Sequence, residues 1–69
     1  MPVYGLYETA EGWLAVAALE PHFAQRLCQE LGLPAPDRTR LATIFRTRSA
    51  QEWEEWALAR DLPMAAVRG

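Results

Sequence analysis

The residue best suited to chemistry in this chain is Glu20, which follows an apolar run and precedes a proline. Pro21 fits the first position of a helix, where its missing N–H group costs no hydrogen bond. Glu20 is therefore predicted at a helix N-terminus, beside free backbone amides and the positive end of a helix dipole. A carboxylate placed there can move a proton or orient a partner base. The alternative is a structural role, in which the side chain only satisfies one amide.

Four other side chains are weaker candidates. His22 falls in the first turn of the same helix, but a single histidine without a fixed partner is typical of a solvated surface. Cys28 lies on an apolar stripe, which favours a buried structural thiol over a nucleophile. Tyr4 and Tyr7 are three residues apart on a predicted strand and point to opposite faces, so one can be buried while the other is available to a ligand.

All seven basic residues are arginines, and they face nine acidic residues for a net charge of -2. This acidic balance argues against a nucleic-acid partner, which requires a basic patch. The guanidinium fork matches phosphate oxygens, so arginines around the second predicted helix can meet a phosphate-bearing ligand or an acidic partner. A solvated helix face is the alternative. These arginines are Arg38, Arg40, Arg46 and Arg48.

Several kinds of site are excluded by the residues present. One histidine and one cysteine six positions apart do not make a metal site, and a single cysteine permits no internal disulfide. The sequence has no phosphate-binding glycine loop and no defensible Ser/His/Asp set. The longest apolar run is too short to span a bilayer, and no signal peptide is recognisable. We therefore expect no reaction from the chain alone, no membrane partner and a cytoplasmic location.

The first half of the chain must position Glu20. Its 69 residues predict one small domain with a limited core. Val3–Thr9 favours a strand, Gly12 permits a turn, and Trp13–Ala18 favours the returning strand of a β-hairpin. The returning strand is apolar on both faces, so we expect it to be central or covered on both sides. Apolar residues from Phe23 to Leu31 then predict a helix.

The second half is predicted to add two helices and a strand. Gly32 stops the first helix, and the connector Leu33–Asp37 is stiffened by two prolines. A second helix is predicted over Thr39–Arg46, burying Leu41, Ile44 and Phe45. Ser49 and Glu52 form a capping box that starts a third helix. That helix ends at Arg60-Asp61, and Met64–Val67 is predicted as a last strand beside the hairpin.

The two tryptophans of the third helix, Trp53 and Trp56, are three residues apart and can both face the core. An aromatic platform for a ligand ring is the alternative. The whole chain is thus predicted as a small α+β domain in the order β-β-α-α-α-β.

Three segments in the right order resemble the small domain of family III CoA-transferases, and most closely the alpha-methylacyl-CoA racemase branch. They cover nearly the whole chain. Ala66 departs from the pattern, because a proline usually comes just before the final valine. The matching segments are Tyr4 to Phe23, with Leu31-Gly32-Leu33 after it; Ile44 to Trp53; and Asp61 to Val67.

The resemblance implies that residues 1–69 are a small domain that lacks its large CoA-binding domain. Family members are several times longer, and their two subunits interlock as linked rings. The small domain closes over an active site that the subunits share. On this basis the chain is an excised domain, a truncated gene product or a split subunit, inactive alone and without a cofactor of its own. Its expected partners are the large domain in cis or in trans, an acyl-CoA, and a second copy in a homodimer.

The resemblance also assigns residues. In the racemases, a histidine and an aspartate of the large domain move the proton next to the thioester carbonyl, and a small-domain glutamate supports them. Glu20 matches that glutamate, which favours a catalytic role. Tyr4 and Tyr7 are expected to line the acyl side of the pocket, where they would shield an enolate from water. The competing hypothesis is a stand-alone, non-enzymatic binding module that self-associates through an exposed apolar face.

Overall fold

A three-stranded antiparallel sheet carries three helices in the computed structural model, which describes residues 4–17 and 20–68. The predicted α+β class and element order are confirmed. Val3 and Ala18, the outer ends of the predicted hairpin strands, lie outside the described residues. The strands are β1 (Gly5–Glu8), β2 (Trp13–Val16) and β3 (Met64–Ala66), and the helices are α1 (Pro21–Leu31), α2 (Arg38–Phe45) and α3 (Ala50–Ala59).

Strand β2 lies in the centre of the sheet, as predicted, with β1 on one side and β3 on the other. Leu14 pairs with Tyr7 of β1 and with Ala66 of β3. The ladder continues past β3, because the Val67 N–H donates to the Trp13 carbonyl at 2.9 Å. The expected position of the last strand beside the hairpin is thereby confirmed.

The hairpin turn is fixed to the start of α3. Gly12 lies in the predicted turn and takes a φ of 89°, a positive value that glycine adopts without strain. The Thr9 hydroxyl lies 2.8 Å from the Gly12 carbonyl oxygen. The Ala50 N–H donates to the Glu11 carbonyl at 2.9 Å, and the Ala10 N–H donates to the Arg48 carbonyl at 3.0 Å. These bonds satisfy backbone groups of the turn and orient α3 against the sheet.

The core lies between the sheet and the helices and is centred on Phe45, which is fully buried. Its ring meets Tyr7 at 5.0 Å and Trp53 at 5.2 Å between centroids, both edge to face. The Trp53 indole N–H donates to the Phe45 carbonyl at 2.9 Å. Trp53 is therefore a core residue, as predicted. Trp56 is half-buried against the same cluster.

In the part of the chain that the structure describes, one face of the sheet is covered by helices and the other is not. Leu14 and Val16 of β2 are buried beneath the helices, whereas Trp13 is 49% exposed on the opposite face. Of the two alternatives expected for β2, the central position is therefore confirmed, and cover on both sides is not found among the described residues, because all three helices contribute their buried residues to one side. We call the other side the open face; its residues are Tyr4, Leu6, Glu8, Trp13, Ala15, Ala17, Ala65 and Val67.

The helix ends follow the sequence signals closely. Gly32 takes a left-handed φ of 75° at the end of α1, as expected for a glycine stop. Helix α2 starts at Arg38 and ends at Phe45, one residue earlier at each end than predicted. Its start is set by Asp37, whose side chain accepts from the Thr39 and Arg40 amides at 3.0 and 3.2 Å. The predicted capping box at Ser49 and Glu52 is present.

Polar side chains cover the outer edge of β3. The Ala66 N–H, which points away from β2, donates to Oε1 of Glu54 at 2.9 Å. The other oxygen of Glu54 accepts from Arg68 at 2.7 Å. Glu54 therefore joins the middle of α3 to an edge strand that would otherwise expose an unpaired amide.

The capping box gives a pH-dependent contribution to stability. The Ser49 N–H donates to the Glu52 carboxylate at 3.0 Å, and the backbone and hydroxyl of Ser49 lower the pKa of that carboxyl. In acid, the unfolded chain therefore binds more protons at Glu52 than the folded chain does. The contribution of Glu52 to stability is complete when the pH is above 4.5, the ordinary pKa of a glutamate. It is lost as the pH falls through the lower folded pKa.

We expect Ser49→Ala to destabilise the domain by about 0.5–2 kcal/mol at neutral pH, because the Glu52 amide loses its acceptor. Glu52→Gln should be less stable than wild type at neutral pH, and the difference should shrink as the pH falls below the ordinary carboxyl value. Urea unfolding followed by tryptophan fluorescence measures both effects. Glu55→Gln, at an exposed position of α3, is the control. If the free energy of unfolding of Glu52→Gln fell with pH as steeply as that of wild type, the pH-dependent role given to Glu52 would be wrong.

Candidate functional site

Glu20 is the residue immediately before α1, in an extended conformation with φ -88° and ψ 142°. Its carbonyl accepts from the Phe23 and Ala24 amides at 3.0 and 3.3 Å. Its side chain makes no capping hydrogen bond. The structural alternative, in which the carboxylate only satisfies a helix amide, is therefore not observed. Oε2 instead lies 3.3 Å from Nδ1 of His22, and two-thirds of the side chain is exposed.

His22 is a surface residue, as predicted, with 58% of its side chain exposed, but it has contacts that the sequence does not reveal. Besides the Glu20 carboxylate, its ring lies 4.2 Å from the Phe23 ring between centroids, tilted by 36°. Residues two apart within a helix do not face each other. Glu20 precedes the helix, and its extended backbone turns the carboxylate back toward His22. The Glu-Pro pair at residues 20 and 21 is the feature of the sequence that could have indicated this contact, because it places Glu20 just before the helix.

The two tyrosines lie on opposite sides of the sheet, as predicted. Tyr7 is 3% exposed in the core, and Tyr4 is 48% exposed. Burial raises the pKa of the Tyr7 hydroxyl, and the charge of Arg38 acts in the opposite direction. Of the two, Tyr4 is the more exposed, whereas Tyr7 is buried and its hydroxyl accepts from Nη1 of Arg38 at 3.2 Å.

The side chain of Arg38 packs against β1 and binds its backbone. Its guanidinium lies 4.5 Å from the Tyr7 ring centroid and donates to the Tyr4 and Leu6 carbonyls at 3.0 and 3.3 Å. These carbonyls face away from β2, so Arg38 covers the outer edge of β1. Gly5 makes the approach possible, because a Cβ there would lie 3.2 Å from the Arg38 Nη1 atom. Arg38 therefore has a structural role in binding β1, which neither alternative for the arginines, a phosphate-bearing or acidic ligand and a solvated face, included.

The other three arginines do not converge on one anion site either. Arg40 lies 3.6 Å from the Asp37 carboxylate, and Arg46 lies 3.9 Å from the Glu8 carboxylate. Arg48 lies over the Trp53 ring at 5.1 Å. Each has its own partner and is exposed, which fits the alternative of a solvated face.

Glu20 and Tyr4 lie toward the same end of the sheet. Gly5 pairs with Val16, so the start of β1 is beside the end of β2. Tyr4 comes just before that start, and Glu20 follows β2 after a short connection. The antiparallel register thus places Tyr4 near the end of β2, and Glu20 follows Val16 by four residues in the sequence.

Cys28 is buried, and burial raises the pKa of its thiol, which opposes the thiolate form that a nucleophile needs. The predicted structural role is confirmed. Two shallow concavities of about 420 and 350 Å³ flank the proline connector, and neither is lined by Glu20 or Tyr4. Among residues 4–17 and 20–68, no three acidic, histidine or cysteine side chains are grouped as metal ligands. No helix of these residues is long and apolar enough to cross a membrane.

The comparison with protein families places the chain in one family. The model of CoA-transferase family III matches residues 1–69, the full length of the chain. The chain belongs to the family III CoA-transferases. The match is to the family as a whole and does not separate its branches. No curated protein and no solved structure matches the chain.

Gly5 and Gly32 provide a matched pair of substitutions that tests the Arg38 contact. Gly5→Ala should cost about 1–3 kcal/mol, because φ is 137° and the new methyl group meets the guanidinium. Gly32→Ala also has a positive φ, but nothing lies within 4 Å of its Cβ, so about 1–2 kcal/mol of backbone strain is expected.

Urea unfolding should therefore show that Arg38→Ala reduces the cost of Gly5→Ala and leaves the cost of Gly32→Ala unchanged. Equal costs of Gly5→Ala in the two backgrounds would contradict the role given to Arg38.

Proposed function

We propose that this chain forms one wall of an acyl-CoA active site in a family III enzyme, with Glu20 as a supporting carboxylate. The reaction we favour is epimerisation of a 2-methylacyl-CoA rather than transfer of CoA. The observation that supports Glu20 is its side chain, which is largely exposed at the N-terminus of α1 and makes no capping bond. Such a carboxylate can interact with groups of another domain.

The proposed chemistry is a proton transfer next to the thioester. The C–H bond at the α carbon breaks, its electron pair moves to the carbonyl oxygen, and an enolate forms. A proton returned to the opposite side of the carbon inverts the centre. The principal bases would come from the large domain, in cis or in trans, and Glu20 would orient them. The N-terminus of α1 adds a positive dipole end near the developing negative charge.

The choice of epimerisation rests on the Glu-Pro-x-Phe segment at Glu20, Pro21 and Phe23, which resembles the racemase branch. Tyr4 supports the same proposal, because it is about half exposed and precedes Gly5, which pairs with the last residue of β2. In this proposal Tyr4 lines the acyl side of the pocket. Tyr7 supports the wall from the core, and the CoA thioester is substrate, so the chain needs no cofactor of its own.

The chain by itself should not exchange the α-proton of a 2-methylacyl-CoA in deuterated solvent, because the described residues hold one histidine and no complete set of bases. Exchange observed by NMR with the chain alone would overturn this part of the proposal. Adding a carboxylic acid that can accept CoA to the reconstituted enzyme distinguishes the two reactions. Epimerisation exchanges the α-proton and leaves CoA on its acyl group, whereas CoA transfer forms a new thioester on the added acid.

In the enzyme reconstituted with its large domain, Glu20→Gln should lower the exchange rate by about 10²-fold or more, the range for general acid–base groups. Glu55→Gln, at an exposed glutamate on α3, is the matched control. Unchanged turnover in Glu20→Gln, with an intact fold by circular dichroism, would remove Glu20 from the mechanism.

A second candidate function is a binding module that self-associates, and the open face is the observation that favours it. Leu6 and Trp13 are about half exposed there, and Glu8 is the only charged residue of the face as defined above. Its centre is formed by Ala15 and Ala65, which pair across β2 and β3. A second copy, turned by a two-fold axis, can place its large side chains over these alanines.

Light scattering across a concentration series tests self-association. Trp13→Glu should weaken a dimer by about tenfold or more, because loss of a buried aromatic anchor costs about 2 kcal/mol. Leu58→Glu is the control, since Leu58 is exposed on α3 and lies outside the open face. A monomer at all concentrations, or equal effects of the two variants, would contradict the second candidate.

A further inference from the structure

We infer that the open face of the sheet binds an amphipathic helix of the large domain, which completes a sandwich with the three helices on the other side. The inference rests on the proposed function for the identity of its partner, the large domain. It adds the surface through which the two domains meet and the kind of element that fits there. It competes with the second candidate function, in which a second copy of the chain occupies the same face.

The open face carries most of the large apolar side chains that the domain exposes. In the described part of the chain, five large hydrophobic residues are exposed, and four of them lie on this face: Tyr4, Leu6, Trp13 and Val67. The fifth, Leu58, lies alone on α3. Single exposed apolar residues are normal on a protein surface, whereas a cluster on one face marks an interaction site.

The register of the sheet arranges this face as a floor of alanines with larger side chains on two sides. Ala15 pairs with Leu6 of β1 and with Ala65 of β3, so two small residues lie side by side next to one large residue. Trp13 and Val67, which are joined by a backbone hydrogen bond of 2.9 Å, border the floor toward the hairpin turn. A partner can therefore bring its backbone close to the sheet over the alanines.

The size of the open face decides between a second copy and a helix of another domain. Strands lie about 4.8 Å apart and rise about 3.3 Å per residue, so the face measures on the order of 10 by 13 Å between backbone atoms. A stable interface needs about 800 Å² from each partner, several times what this face offers. Two copies joined here alone fall short. A helix, about 10 Å in diameter, matches the width, and other contacts of the large domain supply the remaining area.

Glu8 determines the polarity expected of the helix. It pairs with Trp13 at one end of the face, and 59% of its side chain is exposed. Arg46 lies 3.9 Å away and is also more than half exposed, so this ion pair contributes little and leaves the carboxylate accessible. We expect an apolar stripe of the helix over the alanines and a neutral or basic residue opposite Glu8, because a second acid there would be repelled.

NMR of the chain with labelled alanine methyl groups tests this surface directly. The probe is the large domain of the enzyme, added as a separate unlabelled chain. The methyl signals of Ala15 and Ala65 should shift or broaden on binding, while that of Ala59, which is exposed on α3, should not. Binding that leaves Ala15 and Ala65 unchanged would overturn the inference. Shifts that depend on concentration without the large domain would also overturn it and would support the second candidate function.

Calorimetric titration of the large domain with variants gives the energetic test. Ala65→Glu places a charge on the alanine floor at an exposed position and should weaken binding by about tenfold or more. Leu58→Glu, outside the open face, should bind as wild type does. Circular dichroism checks that both variants are folded.

The outcomes separate this inference from the proposed function. If Ala65→Glu binds the large domain as tightly as wild type, while Glu20→Gln still lowers proton exchange, the docking surface is wrong and the proposed function stands. If wild type does not bind the large domain at all, both are refuted.

Discussion

The burial of Phe45 is the constraint on which the rest of the domain depends. Its side chain contacts Tyr7 of the sheet and Trp53 of α3, while its carbonyl accepts the indole N–H of Trp53. One residue at the end of α2 therefore fixes the sheet and α3 together. In a chain this short, which buries only about 60% of its unfolded surface, few other contacts can replace it.

Much of the fold can be predicted because local signals coincide with the tertiary contacts. The Ser49–Glu52 box, Pro21 at the start of α1 and Gly32 at its end specify helix boundaries by backbone chemistry alone. The covered and open sides of β2 cannot be predicted, because apolar residues on both faces do not reveal which face the helices choose. That choice depends on three helices packing to one side.

The candidate site is only half visible in the sequence. Pro21 predicts Glu20 at a helix N-terminus, and the structure places it there. The contact with His22 escapes prediction because spacing rules describe residues inside a helix, and Glu20 lies just before it. For the arginines, the sequence suggests a grouping that the structure does not show. Their clustering in sequence suggests a shared ligand, whereas Arg38 reaches across to carbonyls of Tyr4 and Leu6.

Both borders of the sheet are closed by charged side chains. Arg38 occupies carbonyls along β1, and Glu54 occupies an amide of β3. An incoming extended peptide would have to displace one of these groups before it could pair with the backbone. The sheet therefore resists growth by strand addition, the first step in fibril formation and in many strand-exchange assemblies. Recognition by this small domain is left to its side-chain surfaces, with the backbone of the sheet kept out of intermolecular bonding.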